Sequence, residues 1–180
     1  KKISTKYNEI NITESISGEG IILTKNKAKG ILIKGINEKD KSQSFSNKEI
    51  TKGNLNDFTV GRVMIGGELA YNLNLEIGKK INIISSSFVD TPFGSIPKQD
   101  SFIIAGFFNS GFYEFDQNLI YLELNDSRSI FDKEVGNVDL ELFLKDPFLA
   151  EKYKKEIQKL NKNIFVTTWS DTNKSFFNAL

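Results

Sequence analysis

Apolar residues in this chain come in short runs of Ile, Val, Leu and Phe, separated by Gly, Asn and Lys. The longest lies at residues 102–108, far below the 20 or so apolar residues that a membrane-spanning helix needs. Runs of that length bounded by turn residues are strand material. With 180 residues and 39% hydrophobic content, the chain can bury a sizeable core as one domain or two small ones. It contains no Cys and no His. That excludes disulfide scaffolds, thiolate nucleophiles, Cys/His zinc sites, the Ser-His-Asp triad and any histidine base. The net charge of +1 argues against a nucleic-acid partner. The chain opens on Lys1, Lys2 and Ile3 without a signal-peptide pattern, and is expected to be soluble as written.

Charge divides the chain in three. Residues 1–52 carry a net of +5, residues 53–137 a net of −5 and residues 138–180 a net of +1. An acidic middle between neutral-to-basic flanks suggests an inserted subdomain. In the first third, residues 3–7 and 10–13 read as short strands. Gly18, Glu19 and Gly20 read as a turn, and residues 21–24 and 28–36 form a hairpin about Asn26 and Lys27. Residues 37–49 read as a polar surface loop. The middle offers a strand at 60–65 ended by Gly66 and Gly67, a helical turn through Leu69 and Leu73, and strands at 80–85, 102–108 and 119–122. A segment holding Pro92 and Pro97 lies between the second and third of these strands.

The last third alternates Val138, Leu140, Leu142 and Leu144 on one strand face. Asp146 and Pro147 then give an N-cap followed by proline at the first helical position. Leu149, Tyr153, Ile157 and Leu160 form one apolar helix stripe. Residues 164–169 read as a strand whose Trp169 packs in the core. Ser170 or Asp171 caps a helix through Phe176, Phe177 and Leu180 that has no stop signal, so the natural chain is expected to continue.

Little here carries chemistry. Glu114 and Asp116 would share a face if extended, but read as part of a turn rather than as an acid–base pair. Ser85, Ser86 and Ser87 lack a histidine. Ser95 and Lys98 have Ser-x-x-Lys spacing in a proline-rich hairpin rather than on a helix, without the companion motifs of that enzyme class. The glycines form no phosphate loop. Lys152, Lys154, Lys155, Lys159 and Lys162 read as a solvated helix face. The chain is therefore expected to be no enzyme and to need no cofactor or metal.

Three blocks in order resemble the periplasmic domain of the lipoprotein-releasing ABC transporter permeases, the LolC/LolE family. The first is Ile31-Leu32-Ile33-Lys34-Gly35-Ile36, with Asn37 in place of an Asp. The second is Val63-Met64-Ile65-Gly66-Gly67-Glu68-Leu69-Ala70, followed by Leu73-Asn74-Leu75 and Ile77-Gly78, with Lys79 where Asp is usual. The third is Thr91-Pro92-Phe93-Gly94-Ser95-Ile96-Pro97, then residues 102–108, Tyr113-Glu114-Phe115-Asp116, Asp146-Pro147, Trp169, Asn173 and Phe176-Phe177-Asn178-Ala179-Leu180.

The resemblance implies an α+β fold with a MacB-like periplasmic core. Residues 1–53 and 138–180 would form a mixed α/β, membrane-proximal (Porter-like) subdomain. Residues 54–137 would form an inserted β-rich (Sabre-like) subdomain with a protruding hairpin, the hook, at about 86–101. The family works in the inner membrane with this domain in the periplasm. It releases outer-membrane lipoproteins and hands them to a periplasmic carrier chaperone, driven by a cytoplasmic ATPase subunit, with a sister or identical permease subunit beside it. The resemblance assigns partner binding to Thr91, Pro92, Phe93, Gly94, Ser95, Ile96, Pro97, Gln99 and Asp100, with Phe93 as the apolar anchor at the tip. Asp100 stands where a basic residue is usual. The alternatives are a MacB- or FtsX-like permease without lipoprotein transfer, and, for the loop alone, a surface hairpin with Phe93 folded back on the sheet.

Overall fold

The computed structural model describes residues 10–46, 48–160 and 164–172. The segments expected at 3–7, 161–163 and 173–180 lie outside the described residues. The chain separates into two compact units, one of residues 13–140 and one of residues 1–12 and 141–180.

The larger unit is built on strands β1 (Asn11–Leu23), β2 (Ala28–Ile36), β3 (Glu49–Gly53), β4 (Arg62–Gly66), β5 (Lys80–Thr91), β6 (Gly94–Asn109) and β7 (Leu119–Glu123). Between them lie the short helices α1 (Lys41–Ser44), α2 (Gly67–Leu73), α3 (Tyr113–Asp116) and α4 (Leu124–Ile130). The pairing order is β2-β7-β4-β6-β5-β1, and β1 pairs with β2 again, so this path closes on itself. β2 with β7 and β4 with β6 are parallel; the other pairings are antiparallel, including β3 on β6.

Residues 13–53, expected with the terminal subdomain, belong instead to this larger unit. The reason is hydrogen bonding. Ile22 pairs with Lys29 of β2 and with Ile83 of β5, and Ile33 pairs with Ile120 of β7. Charge partition follows the surface, whereas unit boundaries follow strand partners.

The central strands are buried on both faces, which is why they read as continuous apolar runs. Val63, Ile65, Ile104, Ile120 and Leu122 join one cluster, and the alternate residues Met64, Ala105 and Tyr121 join a second with Phe45, Phe58 and Phe108. Phe45 stacks near Phe58, Phe108 and Tyr121 with ring centroids 4.7–6.2 Å apart. The stretch at 37–49 is therefore more than a surface loop: a 3-10 turn (Glu38–Asp40) and α1 deliver Phe45 to the core.

Gly18 and Gly20 also depart from expectation. They lie inside β1, not at a turn. A Cβ at Gly18 would come within 2.5 Å of the Phe131 ring, and one at Gly20 within 2.8 Å of Ile84 O. Close packing, not chain reversal, requires them. The reversal comes at residues 24–27, where Thr24 Oγ1 accepts from Lys27 N at 3.0 Å and donates to Lys27 O at 3.1 Å.

In the smaller unit, β8 (Asp139–Phe143), which begins in the larger one, is followed by α5 (Ala150–Leu160) and α6 (Trp169–Thr172). The Asp146 carboxylate accepts from Phe148 N at 2.9 Å and Pro147 opens a 3-10 turn, as the sequence signals. Of the expected stripe only Ile157 is buried; Leu149 and Leu160 are exposed. Leu140, on the expected inner strand face, is exposed as well. Residues 164–168 form no strand. Trp169 is 40% exposed rather than a core residue. Its indole N–H donates to Pro147 O at 3.0 Å, and its ring meets Phe148 edge-to-face at 6.5 Å.

Candidate functional site

β5 and β6 form the longest hairpin of the sheet, and their far half stands free of it. β5 pairs with β1 only through Asn82–Ser85, and β6 meets β4 and β3 from Ile103 onward. Residues 88–97 therefore form a two-stranded ribbon, with Phe88 opposite Pro97, Val89 opposite Ile96, Asp90 opposite Ser95 and Thr91 opposite Gly94. Pro97 is tolerated because, among the described residues, no further strand lies beside this part of β6.

The turn is Pro92-Phe93. Proline fixes φ near −65°, which rules out the primed turns that tight hairpins favour. Gly94 makes up the twist at φ +118°, a conformation closed to most side chains. Thr91 Oγ1 accepts from Phe93 N at 3.2 Å and donates to Gly94 O at 2.7 Å. Ser95 Oγ donates to the Asp90 carboxylate across the ribbon. The polar side chains thus hold the turn, and the apolar ones are left outward. Phe93 is 100% exposed, and Phe88, Val89 and Ile96 are exposed too. Because opposed residues share a face, Phe88 and Pro97 lie on one side of the ribbon and Val89 and Ile96 on the other. Phe93 does not fold back on the sheet.

The nine expected partner residues do not all meet. Thr91 to Pro97 occupy the free ribbon, whereas Gln99 and Asp100 sit below it, opposite Ile84 and Ile83. Asp100 belongs to an acidic group with Glu123 and Asp126. Burial pushes the Asp126 carboxyl up; the Gly61 N–H, donating at 2.7 Å, pulls it down, and Glu123 and Asp100 push it up again.

Most of the residues weighed for catalysis have structural partners. Glu114 and Asp116 lie on α3 rather than on a strand face, and Asp116 is buried and accepts from Ser110 Oγ at 2.7 Å and Ser110 N at 3.0 Å. Ser95 turns to Asp90, and Lys98 to Asp132 at 2.7 Å. Ser85 and Ser87 donate to the carbonyls of Ile130 and Phe131 at 2.7 and 2.9 Å. Sequence reasoning missed this last pair, because nothing local says that a serine triplet faces a helix end 45 residues away.

No family model matches the chain. Among curated proteins it is 27% identical over 173 residues to the lipoprotein-releasing system transmembrane protein LolC of Neisseria meningitidis serogroup B, covering 92% of this chain and 41% of that protein. It is 25% identical over 154 residues to LolC of Xylella fastidiosa, covering 83% of this chain and 37% of that protein. The chain thus spans about two fifths of the length of these relatives. Among solved structures it resembles the periplasmic region of MacB from Actinobacillus actinomycetemcomitans, with a TM-score of 0.62 and 18% identity over 99% of this chain and 80% of that one. It also resembles the extracellular domain of the ABC-type transporter YknZ from Gram-positive bacteria, with a TM-score of 0.53 and 15% identity over 83% of this chain and 73% of that one. Among the described residues no helix is long and apolar enough to cross a membrane. Over most of its length the chain is thus similar to the LolC permeases, and it carries the α+β fold of the MacB periplasmic region.

Proposed function

We propose that this chain is the periplasmic domain of an inner-membrane ABC transporter permease that releases lipoproteins and passes them to a periplasmic carrier chaperone. It docks the carrier through the ribbon around Pro92–Pro97, with Thr91, Phe93, Gly94, Ser95 and Ile96 in the contact and Gln99 and Asp100 at its edge. The domain does no chemistry. It transmits motion between a cytoplasmic ATPase subunit and the lipoprotein, beside a sister or identical permease subunit.

One observation carries this reading: a fully exposed phenylalanine at the tip of a proline-stiffened ribbon that sets one exposed apolar pair on each face. Water offers no reason to keep such a tip, whereas a partner with an apolar cavity does. Prolines and cross-ribbon hydrogen bonds lower the ordering cost of binding.

Phe93→Asp tests it. The variant melts with the unaltered chain, because the ring touches no core. Its affinity for the lipoprotein carrier falls about thirtyfold or more, the scale of one hot spot, since a carboxylate in an apolar cavity has no partner. Unchanged affinity would favour the second reading, a MacB- or FtsX-like permease without lipoprotein transfer, which the fold likeness to MacB supports.

A further inference from the structure

We infer that Ser85, Ser87 and Lys98 are positioning residues that aim the ribbon by clamping its base to the end of α4. The capture part of this inference rests on the docking function proposed above; the aiming part does not.

Between the pairs Ile84–Gln99 and Phe88–Pro97 the register shifts, so Ser85, Ser86 and Ser87 on β5 face Lys98 alone on β6. A bulge of this kind bends the strand, increases its twist and redirects the residues beyond it. In this hairpin the residues beyond the bulge are the free ribbon. An unsupported two-stranded ribbon is marginal in water, so its direction has to be fixed at its base.

Three contacts fix it. Ser85 Oγ donates to Ile130 O at 2.7 Å and accepts from Ser87 N at 3.2 Å, which closes the bulge upon itself. Ser87 Oγ donates to Phe131 O at 2.9 Å. From the other strand, Lys98 Nζ reaches the Asp132 carboxylate at 2.7 Å. Ile130 is the last residue of α4 and Phe131 its C-cap, where helix carbonyls have no partner within the helix. Asp132 comes next, in the left-handed conformation at φ +54°. Both strands of the ribbon are therefore tied to three consecutive residues.

The anchor itself is packed into the core at two of its three residues. Ile130 and Phe131 are buried, and the Phe131 ring lies so close over β1 that no side chain larger than glycine fits at position 18. The chain from β1 through α4 to the bulge is continuous packing. Capping accounts for the two serine bonds; the ion pair from the other strand ties that strand to the same three residues, which constrains direction as well.

The test is a distance distribution. The chain has no cysteine, so Val89→Cys with Tyr71→Cys places two spin labels without background, one on the ribbon and one at an exposed position of α2. In the full chain the label-to-label distribution is narrow. Ser87→Ala combined with Lys98→Met broadens it, while Lys98→Arg or Ser87→Thr leaves it narrow. The same double variant, without labels and with Phe93 unaltered, binds the lipoprotein carrier about tenfold more weakly and melts within a few degrees of the unaltered chain. If the double variant does not fold, Lys98→Met alone carries the test, because Asp132 is exposed. A distribution as narrow in the variant as in the unaltered chain overturns the inference. Broadening without any loss of carrier affinity overturns its capture part. Broadening in a chain that never binds the carrier supports the clamp and removes the docking function instead.

Discussion

Trp169 illustrates how far a single residue can be read. A lone tryptophan between an apolar run and a helix cap looks like core, and as a fully buried ring its loss would cost about 3–5 kcal/mol. The structure leaves it 40% exposed, and its contacts include a hydrogen bond to Pro147 O and an edge-to-face approach to Phe148. Trp169→Ala is therefore expected to cost about 1–2 kcal/mol in urea melts, below the figure for a fully buried ring because a large part of this one stays in water. A loss of 3 kcal/mol or more would restore the buried reading. Phe93 is the opposite case. Its neighbours Pro92 and Gly94 already marked it as a turn-tip residue, and a tip two residues wide gives a ring nowhere to hide. Local sequence decides exposure at a turn; at the end of an irregular segment only the fold does.

At the scale of elements, what was legible came from signals carried within a few residues. The β1–β2 hairpin, the Asp146–Pro147 start and the long β5–β6 hairpin are of that kind. Gly18 and Gly20 lie within a strand and not at a turn: glycine marks a turn and a close approach alike, and Phe131 approaches Gly18 from over a hundred residues away, while Ile84 of β5 approaches Gly20. α4 went unread because Leu124–Ile130 has only seven residues and little apolar period. The lysines of α5 read as a solvated face, yet Lys154 pairs with Asp171 of α6. Around that pair, Thr168 Oγ1 donates to Glu151 at 2.7 Å and Ser170 Oγ donates to the same carboxylate at 2.9 Å.

This network sets a pH dependence for the smaller unit. The Lys154 ammonium holds the Asp171 carboxyl well below the usual carboxylate range, and the Thr168 N–H adds to the effect. Hydrogen bonds from Thr168 and then Ser170 lower Glu151, and Asp171 raises Lys154. Depressed carboxyls stabilise above their unfolded values and lose that stabilisation as pH falls through their folded ones. A raised ammonium stabilises below its unfolded value and loses it as pH rises through its folded one. Stability from α5 and α6 is therefore flat between about pH 5 and 10 and declines on both sides. In melts followed by Trp169 fluorescence, Asp171→Asn flattens the acid decline. An acid limb identical in the variant would assign the decline to other carboxyls.

For the whole molecule, the division of labour is between a closed set of paired strands, which fixes geometry, and one ribbon that leaves it. Relatives named LolC match most of this chain, and MacB shares its fold. The ribbon is where the proposed carrier contact concentrates, so removing it separates fold from function. The decisive measurement is a titration of the lipoprotein carrier into the chain with residues 88–97 replaced by Asn-Gly, which joins Ser87 to Lys98 through a tight turn and keeps the clamp at its base. Docking through the ribbon predicts an unchanged melting curve and no detectable carrier binding, beside saturable binding by the unaltered chain. Equal binding by the two chains would contradict it.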